Sequence, residues 1–135
     1  MKIVTICGSM RFAPEMRRAA FRLESRQGCN VLQCTYPEPG ETVTAEMRQR
    51  LEEAHLEKIR MSDFIYVVDV GGYIGQSVGQ EIAYARQLGK PVVFDSQTPA
   101  DTPLGGRRDL LKQNRAPGHP GTTGCPGAFA SLLSP

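Results

Sequence analysis

The chain predicts an α/β fold: a Rossmann-like or flavodoxin-like open parallel sheet of about four to five strands with an irregular C-terminal tail. Three observations carry this. Strand and helix signals alternate through the first 96 residues. The segment FIYVVDV (64–70) is apolar enough for a central strand buried on both faces. Two glycine-bearing loops, after strands 1 and 3, stand where such sheets bind ligands.

The elements follow in order. KIVTIC (2–7) is a β-branched run that Gly8 ends. Pro14 suits a first helical turn. Met16, Ala19, Ala20 and Leu23 repeat at helical spacing, and Gly28 suits a C-cap. CNVLQC (29–34) reads as a second strand, and Pro37, Pro39 and Gly40 mark a loop. A helix over about 44–61 follows, with Met47, Leu51, His55 and Ile59 as its inward stripe. After the central strand and GGYIGQS, a helix starts near Val78, with Val78, Ile82, Ala85 and Leu88 on one side and Gly89 as stop. PVVF (91–94) is the fourth strand. Strands separated by helices imply right-handed βαβ units. A spatial order 2-1-3-4 puts the switch point between strands 1 and 3.

The 135 residues are one domain's worth. Composition changes near position 97, so the predicted division is an α/β domain over 1–97 and a Gly/Pro-rich, partly disordered tail over 98–135. The tail holds six prolines and six glycines, with a short helix expected around Leu104–Arg115. A formal net charge of +2 speaks against a nucleic-acid polymer as partner. No apolar run is long enough to span a membrane, and MKIVTICGSM reads as a strand rather than a signal peptide. The expected location is cytoplasmic. Cys7, Cys29, Cys34 and Cys125 show no C-x-x-C spacing, so no metal site is predicted; buried free thiols are expected at Cys7 and Cys34.

The first loop is Gly8-Ser9-Met10-Arg11. Backbone amides ahead of a helix, a hydroxyl and a guanidinium suit a phosphate; the same residues also make a plain strand-to-helix turn. The second loop, Gly71 to Gly79, includes Gly72, Tyr73 and Ser77 and leads to Glu81, read as lying in the helix's first turn. Glu81 is either an acid that complements the helix dipole or a carboxylate nucleophile kept ionised by the helix N-terminus. Asp69 either binds sugar hydroxyls or braces the loop. Asp63, at the opposite edge, reads as structural. His55 reads as a satisfied, half-buried histidine. Tyr73 either stacks on a base or closes its loop.

The run CGSMR, the SD-x-x-x-V before the glycine loop and G-x-S-V-G-x-E-I-x-x-A together resemble the nucleoside 2-deoxyribosyltransferase superfamily, in particular its 2'-deoxynucleoside 5'-phosphate N-hydrolases. The resemblance covers roughly residues 2–95. It implies attack of Glu81 on the sugar C1', with Gly8, Ser9, Met10 and Arg11 holding a 5'-phosphate and Ser77 and Gly79 across the cleft. It implies a small-molecule nucleotide or nucleoside as partner, a homodimer, and no metal or redox cofactor. The chain departs from the pattern where His55 occupies the position of an assisting aspartate, and Thr5 that of a tyrosine. The departure at His55 keeps a non-catalytic nucleotide-binding or sensor module as the alternative. A flavodoxin-like FMN-binding reductase is the lesser one, since a flavin site needs no Glu81.

Overall fold

A computed structural model describes residues 1–104 of the chain. It contains strands β1 (Ile3–Gly8), β2 (Asn30–Leu32), β3 (Phe64–Val68) and β4 (Val92–Phe94), and helices α1 (Ala13–Ser25), α2 (Ala45–Met61) and α3 (Gln76–Gln87). The strands form one parallel sheet in the order β2-β1-β3-β4, as the alternation of signals predicts. The register pairs Gly8 with Val68, so β1 and β3 end level with one another.

The pleat sorts β3 between two cores. Phe64, Tyr66 and Val68 face α1, where they pack with Met16, Ala19, Ala20 and Leu23. Ile65 and Val67 face α2 and α3, among Leu56, Ile59, Ile82 and Ala85. All five β3 residues are buried, the mark of a central strand covered on both faces.

Local chemistry sets the helix ends. Proline stands in the first turn of α1, where its missing N–H costs nothing. Thr44 caps α2 by accepting the Met47 N–H at 3.2 Å. At the amino end of the sheet, the Ile3 N–H donates to Asp63 Oδ2 at 2.7 Å, which gives Asp63 the structural role expected of it. The buried hydroxyls of Thr5 and Ser62 hydrogen-bond to each other and tie β1 to the start of β3.

The central strand is shorter than read: Asp69 and Val70 leave the ladder for a tight turn, with Gly71 and Gly72 at φ 64° and 81°. Only glycine takes such angles at no steric cost. The described chain also runs past the expected boundary at 97. Leu104 is buried in the α1-side core, and its N–H donates to Gln27 Oε1 at 3.2 Å. The rest of the expected tail, including nearly all of the helix proposed for it, lies outside the described residues.

Candidate functional site

The connections leaving β1 and β3 diverge to opposite faces of the sheet. That divergence opens a crevice beyond the strands' carboxyl ends. A cavity of about 450 Å³ occupies it, within the range of small-molecule sites. Its walls are Gly8, Ser9 and Met10 from β1 and its loop, Arg48, Leu51, Glu52, His55 and Lys58 from α2, and Gly75 to Val78 with Glu81 from α3. Leu51, predicted to face the core, instead lines this cavity and stays 37% exposed.

His55 and Glu81 meet at the cavity floor, with the buried Cys7 directly behind them. His55 Nε2 lies 3.1 Å from Glu81 Oε1 and 3.6 Å from Cys7 Sγ. Among the described residues, His55 Nδ1 and Glu81 Oε2 have no hydrogen-bond partner. Burial, with the nearby Glu52 adding to it, pushes the Glu81 carboxyl up to about 8. Burial, aided by Lys58, lowers His55 to about 4. Burial first, then Glu81 and Cys34, raises the Cys7 thiol. The cause is common to all three: low polarity penalises every charged form. At neutral pH the His55–Glu81 pair therefore holds one proton and no net charge.

This corrects the expectation that a helix N-terminus keeps Glu81 ionised. Helix α3 begins at Gln76, so Glu81 lies beyond the first turn. The favourable dipole is concentrated in that turn, and desolvation prevails at Glu81. The expectation of a satisfied, half-buried His55 is corrected too: the ring is buried, and Nδ1 has no hydrogen-bond partner among the described residues.

The phosphate-loop residues divide. Ser9 lines the cavity, and its Oγ accepts the Arg11 N–H at 3.4 Å. Arg11 is not among the lining residues: its guanidinium sits 4.2 Å from the centroid of the Tyr73 ring, a cation–π contact. Phe12 meets the same ring edge-on at 5.9 Å. Tyr73 thus closes its loop over the sheet edge. Gly8 lines the cavity and also packs tightly, because a Cβ there would meet Met16 Sδ at 2.8 Å and Val68 O at 3.2 Å.

Asp69 takes the bracing role. It is 1% exposed and accepts the Ser96 N–H at 2.9 Å and the Ser96 hydroxyl at 2.7 Å, one on each oxygen. Asp69, Gly72, Tyr73 and Gly79 are absent from the cavity walls. Ser77 is in them, beside the α3 N-terminus, where Gly75 provides no side-chain cap. The first-turn amides there have no intrahelical acceptor.

Sequence reasoning missed Arg48 and Lys58, the cationic groups that do line the cavity. Lys58 Nζ donates to the Gln33 carbonyl at 2.6 Å. Their signal was only a position on α2, Arg48 two turns before His55 and Lys58 about one turn after it. Cys7 and Cys29 are buried free thiols and Cys34 is half-buried; Cys125 lies outside the described residues.

No family model matches the chain, and no curated protein matches it. A solved structure of a conserved protein from Enterococcus faecalis V583 is similar, with 20% identity and a TM-score of 0.52 over 86% of this chain and 76% of that one. That likeness concerns the fold. Among the described residues, no helix is long and apolar enough to cross a membrane.

Proposed function

We propose that the protein cleaves the N-glycosidic bond of a nucleoside 5'-monophosphate, with Glu81 as nucleophile and hydrolysis preferred over base exchange. The observation that carries this reading is the 3.1 Å contact between His55 Nε2 and Glu81 Oε1 on the floor of a nucleotide-sized cavity. The motif resemblance to the nucleoside 2-deoxyribosyltransferase superfamily supports it independently.

The pair supplies its own activation. Moving its proton from Glu81 to His55 makes a carboxylate and an imidazolium without changing the net charge of the site. The carboxylate attacks C1', and a C1'–O bond forms as the C1'–N bond breaks. The electron pair goes to the base nitrogen, which takes the proton from His55. A water, deprotonated by His55, then opens the glycosyl ester and restores the pair, as in retaining glycosidases. Ser9, the first-turn amides of α3 and Arg48 favour a 5'-phosphate at the mouth. A cytoplasmic homodimer belongs to the same proposal.

The test is capture of the intermediate. Protein incubated with deoxyribonucleoside and ribonucleoside monophosphates is denatured rapidly and weighed by mass spectrometry. The reading expects a sugar-phosphate adduct on the peptide bearing Glu81. Turnover with the adduct on another residue would overturn the assignment of the nucleophile.

A further inference from the structure

The geometry points to a metal site on the cavity floor: Cys7, His55 and Glu81 form a three-ligand site for a thiophilic divalent cation, zinc above all, with the fourth position open to the cavity. The inference goes beyond the glycosidic reading and does not depend on it. One ligand atom from each residue lies within 4.8 Å of the other two. The ligands come from three different elements, the end of β1, the middle of α2 and the second turn of α3, so the sheet and both helices hold them rigidly.

Both distances from His55 to the other two ligands suit tetrahedral coordination. Ordinary zinc–ligand bond lengths at a tetrahedral angle separate sulfur from nitrogen by about 3.6 Å and nitrogen from oxygen by about 3.4 Å. The sulfur–nitrogen distance is 3.6 Å. The nitrogen–oxygen distance is 3.1 Å, so Glu81 needs only a small rotation, and its second oxygen has no hydrogen-bond partner among the described residues. His55 and Glu81 line the cavity, which leaves the remaining position facing it.

The donor set selects the ion. Thiolate, imidazole and carboxylate together suit zinc or cobalt, whereas magnesium and calcium prefer oxygen ligands alone. Binding releases the Cys7 thiol proton and the one proton of the His55–Glu81 pair to solvent. Two anionic ligands and one dication then sum to zero, so no net charge is buried. Zinc on Glu81 and a glycosyl bond to Glu81 exclude each other, which makes the metal-loaded form inactive in the reaction proposed above.

The test reads the metal, with no nucleotide present. The full chain is stripped with a chelator and titrated with Co²⁺. One equivalent should produce visible bands of tetrahedral strength and a near-ultraviolet sulfur-to-cobalt band, and Zn²⁺ should abolish both. Cys7→Ser should lose the sulfur band, while Cys34→Ser keeps it. Should Cys7→Ser fail to fold by circular dichroism, His55→Ala and Glu81→Gln carry the test, and each should lower Zn²⁺ affinity at least about tenfold. A wild type without the sulfur band, a band that survives Cys7→Ser, or unchanged Zn²⁺ affinity in both of the other variants overturns the proposal.

Discussion

Replacing Glu81 by glutamine changes how stability depends on pH, and the size of the change follows from the site. In the metal-free protein, the His55–Glu81 pair holds one proton between about 4 and about 8. In the unfolded chain, Glu81 loses its proton near 4.5 and His55 near 6.5. From pH 4.5 to 6.5 both states hold one proton, so the pair adds no slope. From 6.5 to 8 the unfolded chain holds none and the folded pair still holds one. Stability therefore falls as pH rises through this window, at about 1.36 kcal/mol per unit. Over the whole window the loss is about 2 kcal/mol. Burial sets this window first, with Glu52 adding to it at Glu81 and Lys58 at His55. Glu81→Gln removes the proton, and the fall disappears. Urea unfolding at pH 6.5 and 8 in the presence of a chelator measures it. The wild-type midpoint should drop by about 1 M relative to the variant's. Parallel midpoints in the two proteins would mean that Glu81 is ionised in the folded state and would refute the neutral-pair argument.

The other predictions concern neighbouring residues. Gly8→Ala forces a Cβ against Met16 Sδ and Val68 O and should cost about 1–3 kcal/mol, whereas Gly79→Ala meets nothing within 4 Å and should stabilise α3 by up to about 1 kcal/mol; thermal unfolding of both variants checks the contrast. Asp69→Ala leaves the Ser96 N–H and hydroxyl unpaired and should lower stability by about 2–3 kcal/mol, while base release per folded molecule, measured well below the melting temperature, stays unchanged. Arg48→Ala should raise KM for a 5'-monophosphate about tenfold or more with little effect on a nucleoside lacking the phosphate, and Arg11→Ala should change neither; steady-state kinetics on matched substrates separates the two.

The sheet was legible because its signals are local. Val4, Ile6 and the whole of β3 are apolar and β-branched or aromatic, and Gly8, Gly28 and Gly89 mark ends that the chain does use. Right-handed crossovers fix the face that each helix covers, and the order 2-1-3-4 puts the crevice between strands 1 and 3, where the cavity lies. The chemistry of the site was less legible because it depends on tertiary burial. Glu81 read as a helix-start acid, but its proton affinity is set by α2 lying over it and by Glu52, which sequence distance hides. Arg11 read as a phosphate ligand because nothing in its own loop shows that Tyr73 folds back to meet it. Cys7 read as a small hydrophobe in a strand, and only the docked α2 brings His55 to its sulfur. Arg48 and Lys58 drew no reading from the sequence, and only the helix laid along the cavity brings them into its wall.

The most direct measurement is chromatography of free base released from a panel of ribo- and deoxyribonucleoside 5'-monophosphates, with Glu81→Ala beside the wild type. The account predicts base release by the wild type in chelator, and its loss in the variant. Release that persists undiminished in Glu81→Ala would contradict the role given to that carboxylate. No release from any member of the panel, with binding still visible as thermal stabilisation, would contradict the reaction itself and leave a nucleotide-binding module in its place.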